Sequence, residues 1–287
     1  MNSTTDLHLH TLVSDGIATP LEILQAAKEL GLAQISITDH DALGAYRHWG
    51  DLFARAKELG VELVSGIELD ADFRRREIHL LGYGFRVDDP ALNRHLAATQ
   101  RIRKQRVRLQ LAIINQFFKR KVVDSKKVFL PQRDTLMKPH LVHAMIDQGL
   151  FADYRQAAGW LSDIARVQIH VPKLPLPDAI AMIRNAGGEA VLAHPGYMVR
   201  ETDISLATFL EEFIPFGLAG MEVDYPYYQE KEPGQPFPDL ASEQAMVAEL
   251  RELAERFQLK TTRGSDAHDV EAMKAFAGKG ERQTVDG

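Results

Sequence analysis

The sequence predicts an α/β fold, a distorted (β/α)7 barrel whose chain is interrupted by a helical insertion that forms a cap subdomain. Three observations predict it. Short apolar strands alternate with amphipathic helices over residues 1–89, residues 90–170 have helical patterns without a convincing strand, and the alternation returns over residues 171–287. Because alternating strands and helices form parallel sheets covered by helices, the two outer segments are expected to build one barrel.

The elements of the first segment follow from the spacing of its apolar residues. The stretch TDLHLH alternates as a strand does, PLEILQAAKELG has helical spacing between Pro20 and Gly31, and AQISIT is a short strand. AYRHWGDLFARAKELG is the next helix, and VELVSGIELD is the next strand. DFRRREIHLLGYGFRV predicts a hairpin arm that continues from that strand.

The second barrel segment repeats a helix followed by a strand three times. DAIAMIRNAGG precedes EAVLAHPG, ISLATFLEEFIPFG precedes LAGMEVDY, and SEQAMVAELRELAERFQ precedes LKTTRGSDAH. The two segments together contain about seven strands, which is the count in the predicted barrel. The Gly-rich and charged tail after Val270 is expected to be loosely held.

Composition restricts the chemistry that this barrel can perform. The 287 residues are 45% hydrophobic and 26% charged, as in ordinary globular proteins. No signal peptide or membrane span is evident, so a cytoplasmic protein is expected. The chain has no cysteine, which excludes disulfides and thiolate metal sites and leaves His, Asp and Glu as metal ligands. Its net charge of -6 argues against a general nucleic-acid-binding protein.

Side chains that can bind metal ions follow nearly every predicted strand. In a barrel the carboxyl ends of parallel strands face one mouth, where active sites are built. Alone, any of these residues is more simply a helix cap or a paired polar group, as Asp39 could be before the next helix. Their repetition at equivalent positions favours a metal cluster. The strand-end residues are His8, His10, Asp39, His40, Glu68, Asp70, His194, Glu222, Asp224, Asp266 and His268.

Six motifs, in this order and at these approximate spacings, resemble those of the PHP (polymerase and histidinol phosphatase) family of metal-dependent phosphoesterases: DLHLHTLVSDG, ITDHD, GIELD, IHLLGYG, VLAHPG and GSDAH. The resemblance covers both barrel segments and implies a distorted seven-stranded barrel that holds three divalent ions, often Mn²⁺, with Fe²⁺ or Zn²⁺ as alternatives.

The resemblance also implies how the ligands are shared among the three ions. The first ion would be bound by His8, His10, Glu68 and Asp266. Asp15, His40 and His268 would bind the second, and Glu68, His79 and His194 the third, with Glu68 bridging. These nine residues would activate a hydroxide for attack on phosphorus. Asp39 and Asp70 would take supporting roles, because ligating imidazoles usually need an outer carboxylate.

The insertion is strongly basic. Between Ala91 and Lys127 it has eleven Lys or Arg residues and one acid, Asp124. Most of these cations are expected to lie on a solvated helix face. A basic cap over a metal site nevertheless suits a substrate with a second phosphate. The candidate substrate contacts are Arg101, Arg103, Lys138 and His140, the last two in the stretch KPH at a helix start.

The resemblance within the family therefore implies a phosphatase that removes the 3'-phosphate from nucleoside 3',5'-bisphosphates, such as adenosine 3',5'-bisphosphate, to give AMP. The alternative is a 5'-3' exoribonuclease on short 5'-phosphorylated oligonucleotides. A histidinol-phosphate phosphatase would have a cationic substrate, which the basic insertion disfavours, and an amidohydrolase would need a bridging lysine at a strand end. A structural domain that has lost its ligands is a further alternative. The expected partner is a small nucleotide or short RNA, without a membrane or an obligate protein partner.

Overall fold

The computed structural model describes residues 5–201, 204–228 and 236–282, and it is an α/β protein built on one curled sheet. The sheet has seven strands in the order β1-β2-β3-β4-β6-β7-β8, and a two-residue strand, β5, pairs with β3. The strands are β1 (Thr5–Leu9), β2 (Gln34–Ile37), β3 (Glu62–Phe73), β4 (Arg76–Tyr83), β5 (Leu174–Pro175), β6 (Glu189–Leu192), β7 (Leu218–Asp224) and β8 (Lys260–Arg263).

The pairing of the strands confirms the distorted barrel. β1, β2 and β3 pair in parallel, as do β6, β7 and β8. β4 is antiparallel to both β3 and β6, so the predicted hairpin arm reverses one strand of an otherwise parallel sheet. The two ends of the sheet meet where Leu9 bridges Ala267 and the His10 N–H donates to the Ala267 carbonyl over 2.9 Å.

Helices cover the outside of the sheet. They are α1 (Pro20–Glu29), α2 (Leu52–Leu59), α7 (Leu176–Asn185), α8 (Pro195–Glu201), α9 (Leu206–Phe213), α10 (Leu240–Phe257) and α11 (Val270–Arg282), with short 3₁₀ turns at Gly44–Tyr46 and Ile214–Phe216. Thr19 caps α1 by accepting a hydrogen bond from the Glu22 N–H, while the Glu22 carboxylate accepts one from the Thr19 N–H. The expectation of a loosely held tail after Val270 is wrong for its described part, because α11 buries Met273 and Phe276.

The insertion between β4 and β5 consists of α3 (Pro90–Phe117), α4 (Ser125–Val128), α5 (Lys138–Asp147) and α6 (Tyr154–Asp163). Leu92 and Leu96, near the start of α3, belong to the core of the barrel. Val107 and Ile114, farther along the same helix, belong to a second hydrophobic cluster formed with α5 and α6. One helix thus links the two cores. Within the described residues, no helix has both the length and the apolar character needed to cross a membrane.

Candidate metal centre and adjoining cavity

The structure brings the nine predicted metal ligands together at one end of the sheet. His8 lies in β1 and His10 directly after it, and alternation along the strand turns both rings to the same face. His40 follows β2, and its backbone forms an isolated parallel β-bridge with that of Glu68 in β3. His79 lies in β4. The remaining ligands come from loops that follow strands: Asp15 after β1, His194 after β6, and Asp266 and His268 after β8.

The first predicted ligand set forms a compact group around a carboxylate pair. The ligand atoms of His8, His10, Glu68 and Asp266 all lie within 4.8 Å of one another. Nε2 of His10 is 3.0 Å from Oδ1 of Asp266 and 3.2 Å from Oε2 of Glu68. Nε2 of His8 is also 3.2 Å from Oε2 of Glu68. This spacing leaves room for one ion between the four side chains.

The second predicted set lies on the other side of the His10 ring. Donor atoms of Asp15, His40 and His268 come within 4.8 Å of one another and of His10, so His10 takes part in both groups. Nε2 of His268 is 3.4 Å from Oδ2 of Asp15. The His268 side chain is 42% exposed, whereas Asp15 is buried, so this part of the cluster opens to solvent.

Glu68 occupies the bridging position that the third set requires. Its Oε2 atom is 3.3 Å from Nε2 of His40, on the side of the first two groups. Its Oε1 atom is 2.9 Å from Nδ1 of His79 and 3.3 Å from Nε2 of His194. The two oxygens of one buried carboxylate therefore serve different histidines. A bridging carboxylate between ions needs this arrangement.

The donor set fits divalent ions. Burial lowers the pKa of His8, but the carboxylates of Glu222, Glu68 and Asp266 raise it well above its usual value. Burial raises the pKa of Glu68, and the surrounding histidines lower it well below its usual value. Nε2 of His10 and Oδ1 of Asp15 are buried without a hydrogen-bond partner among the described atoms. Converging imidazole and carboxylate donors, two of which have a buried atom without a hydrogen-bond partner, suit Mn²⁺, Fe²⁺ or Zn²⁺.

Outer carboxylates hold the ligating rings. Oε1 of the fully buried Glu222 is 3.0 Å from Nδ1 of His8, and its Oε2 accepts the His194 N–H over 2.9 Å. Asp70 contacts Nδ1 of His40, and Asp39 accepts hydrogen bonds from Thr11 and Ser14 in the loop that leads to Asp15. The sequence marked Glu222 as a strand-end acid but did not reveal its contact with His8.

A basic cavity of about 600 Å³ lies between the cap and the barrel, beside the metal cluster. Its lining includes Asp70 and Glu77, and Glu77 is 3.6 Å from Nε2 of His79. Five cations line it: Arg103, Arg106, Lys138, Arg166 and Lys173. Sequence analysis did not select Arg106, Arg166 or Lys173. Arg106 belongs to the basic stretch between Ala91 and Lys127, whereas Arg166 and Lys173 lie beyond it.

The four predicted substrate contacts occupy different environments. Lys138 lines the cavity and donates to Oγ of Ser162 over 2.8 Å. Arg103 also lines it, but its Nη2 atom is held by two buried carboxylates. Arg101 and His140 are not among the described residues that line the cavity. His140 Nε2 lies 2.7 Å from the Ser14 carbonyl, and Nδ1 accepts the Met137 N–H over 2.9 Å. The role of these residues in substrate binding stays a prediction.

The family of the chain follows from its sequence as well as from this centre. A family model of the PHP domain matches residues 6–167, more than half of the chain. The chain belongs to the PHP family. A solved structure from Bifidobacterium adolescentis, described as a metal-dependent phosphoesterase, superposes with a TM-score of 0.72 at 25% identity over 92% of this chain and 87% of that one. The fold and the phosphoesterase class of this PHP protein are thereby established.

Three curated relatives of this PHP protein differ in their substrates. A 3',5'-nucleoside bisphosphate phosphatase of Chromobacterium violaceum is 28% identical over 192 residues, which are 67% of this chain and 66% of the relative. A 5'-3' exoribonuclease of Haemophilus influenzae is 25% identical over 274 residues, 93% and 91% of the two chains. A phosphoribosyl 1,2-cyclic phosphate 1,2-diphosphodiesterase of Eggerthella lenta is 31% identical over 273 residues, 92% and 93% of the two chains.

Proposed function

We propose that this PHP protein removes the 3'-phosphate from nucleoside 3',5'-bisphosphates, converting adenosine 3',5'-bisphosphate to AMP and phosphate. The basic cavity beside the metal cluster is the observation that carries the proposal. A substrate with two phosphates can place the reacting one at the cluster and the other among the cavity cations other than Arg103, of which Lys173 also pairs with Glu77. The named activity of the Chromobacterium violaceum relative supports this reading.

The metal centre would hold up to three Mn²⁺, Fe²⁺ or Zn²⁺ ions on the nine donors described above. Bound ions of this kind lower the pKa of water and neutralise charge on a phosphoryl group. The exposure of the predicted ligands supports one entry route for the substrate. The side chains of His79, Asp266 and His268 are 24%, 21% and 42% exposed, while His8 and His10 are fully buried. The phosphate ester would therefore approach from the exposed side, and the buried histidines would form the floor of the centre.

The cavity residues would bind and orient the second phosphate. Arg106 and Lys138 reach the cavity from α3 and from the start of α5, and Arg166 and Lys173 reach it from the segment after α6. A hydrogen bond to a charged group contributes about 1.5–3 kcal/mol, which corresponds to roughly 10- to 100-fold in affinity. Binding at two separated phosphates also fixes which phosphate faces the metal centre.

A second candidate function is 5'-3' exoribonuclease activity on short 5'-phosphorylated oligonucleotides. A further cavity of about 440 Å³ shares Arg103, Arg106, Arg166 and Lys173 with the first and extends to Gln168 and His170. Continuous basic space of this kind favours a substrate longer than one nucleotide. The relation to the Haemophilus influenzae exoribonuclease supports this alternative.

Product analysis in the presence of Mn²⁺, which measures both released phosphate and released mononucleotides, separates the two candidates. The substrates are adenosine 3',5'-bisphosphate, AMP, 3'-AMP and a short 5'-phosphorylated RNA. We expect the bisphosphate to be hydrolysed with by far the highest kcat/KM and AMP to accumulate. If the RNA is converted to mononucleotides with a higher kcat/KM than the bisphosphate, the result would contradict the phosphatase proposal and support the exonuclease.

Variants of the cavity test the second half of the proposal. Arg106→Met and Lys138→Met should each raise KM for the bisphosphate roughly 10- to 100-fold and leave KM for 3'-AMP nearly unchanged. Arg94→Met is the matched control, because Arg94 is an exposed cation of α3 that is not among the described residues lining the cavity. Equal effects on the two substrates would contradict binding of a second phosphate.

A further inference from the structure

Helix α3 connects the cap to the loop that carries the metal ligand His40. The helix has 28 residues, about 42 Å at 1.5 Å per residue, and it packs in both hydrophobic clusters. Gln100 and Arg103 lie one turn apart between its two packed regions. Both side chains point to the segment that follows β2.

Two hydrogen bonds from α3 hold Asp41, the neighbour of His40. Nε2 of Gln100 donates to the Asp41 carbonyl over 2.9 Å, and Nη2 of Arg103 donates to Oδ2 of Asp41 over 2.7 Å. The backbone of Asp41 is in the left-handed region, with φ of 44°. A residue other than glycine adopts this conformation only where its surroundings impose it. These contacts from the cap helix are part of those surroundings.

The same arginine reaches the imidazole of His40 through one carboxylate. Nη2 of Arg103 is 2.5 Å from Oδ2 of Asp70, and Oδ1 of Asp70 is 3.2 Å from Nδ1 of His40. The three side chains are 9%, 2% and 7% exposed. When Nδ1–H donates to Asp70, Nε2 keeps its lone pair and is fixed in direction toward the metal cluster.

We propose that Arg103 is a positioning residue that couples the cap to the metal centre by holding Asp70, and through it His40, in the ligating orientation. This role differs from direct contact with a substrate phosphate. Removal of Arg103 takes away the cation that holds the Asp70 carboxylate toward His40, and it removes one of the contacts that hold the strained backbone at Asp41. The inference rests on the metal centre and not on the identity of the substrate.

Direct metal binding tests this role without any substrate. Metal-stripped wild-type protein, Arg103→Met and Arg103→Lys are titrated with Mn²⁺ by isothermal titration calorimetry. In Arg103→Met we expect a loss of roughly 10- to 100-fold in affinity for at least one Mn²⁺ equivalent, the usual effect of losing an outer partner of a ligating histidine. Arg103→Lys should be intermediate, because one ammonium group lacks the planar fork that serves two carboxylates.

Arg106→Met is the matched control for metal binding, since Arg106 lies one turn farther along α3 and lines the same cavity. Its Mn²⁺ titration should superimpose on that of the wild-type protein. A second readout separates positioning from phosphate binding: excess Mn²⁺ should restore kcat in Arg103→Lys, whereas a lost phosphate contact would raise KM at every Mn²⁺ concentration.

Two results would overturn the proposal. One is an Arg103→Met titration identical to that of the wild-type protein. The other, which applies if Arg103→Met does not fold by circular dichroism, is wild-type Mn²⁺ affinity in a folded Arg103→Lys. A wild-type protein that hydrolyses RNA better than the bisphosphate would contradict the proposed phosphatase and leave the role of Arg103 intact.

Discussion

Glu222→Gln is the change that tests most directly how the metal centre is held. The carboxylate of Glu222 accepts from Nδ1 of His8 over 3.0 Å and from the His194 N–H over 2.9 Å, and it is fully buried. Glutamine has the same shape but offers one acceptor oxygen and one NH₂ group. In either orientation of the amide, its NH₂ group therefore faces one of the two N–H donors, and that hydrogen bond is lost.

The structure gives the expected size of this effect. A buried hydrogen-bonding group left without its partner costs about 1–3 kcal/mol, and the lost outer carboxylate should lower metal affinity roughly 10- to 100-fold. Calorimetric titration of the metal-stripped protein with Mn²⁺ measures the affinity. Thermal unfolding of the same samples should show a decrease in Tm of a few degrees.

Asp224→Asn is the matched control on the same strand. Asp224 lies two residues farther along β7, is 40% exposed and pairs with the exposed Arg251, a kind of contact that contributes about 0–1 kcal/mol. We expect this variant to bind Mn²⁺ as the wild-type protein does. If Glu222→Gln and Asp224→Asn had the same Mn²⁺ affinity, the reasoning that Glu222 fixes His8 would be refuted.

Two further predictions concern packing and pH. In Gly264→Ala the new methyl group would meet the Cβ of His8 and the carboxylate of Glu222, so we expect a loss of about 1–3 kcal/mol in unfolding free energy and weaker Mn²⁺ binding. Burial, with Arg133 nearby, lowers the pKa of His140 to about 4. Below the unfolded-state pKa of about 6.5, His140 binds a proton in the unfolded chain but stays neutral in the folded chain, so the free energy of unfolding decreases as the pH decreases. Urea unfolding should show that the stability advantage of the wild-type protein over His140→Gln is about 2 kcal/mol smaller at pH 5 than at pH 7.5.

Each of these predictions has its own control. Gly159 of α6 has open space where its Cβ would be, so Gly159→Ala should leave Mn²⁺ binding unchanged and raise stability by up to about 1 kcal/mol. Wild-type metal affinity in Gly264→Ala would contradict the predicted collision. For His140, the metal-free protein is used so that metal release does not contribute, and a stability difference independent of pH would show that its buried ring does not govern this acid sensitivity.

The convergence of most of the predicted metal ligands could be inferred from the sequence because the rules involved are local. Alternation along β1 puts His8 and His10 on one face, and the order of strands and helices brings His40, His194 and His268 to the same end of the sheet. The hairpin that carries His79 was also evident from its pattern. The helix that begins at Val270 was not evident from the sequence pattern, because it is held by the burial of Met273 and Phe276.

By itself, the sequence determined the fold class, the basic character of the insertion and, through its resemblance to the family, the predicted set of donors. Only the tertiary structure decided which partners residues of the same type contact. Glu222 reaches His8 across 214 positions of the chain, while Asp224 pairs with Arg251. Likewise, Arg103 is held by Asp41 and Asp70, although Arg106 is of the same type and one turn away. Local periodicity fixes the face on which a side chain lies, but its partner is set by contacts between elements that are far apart in the sequence.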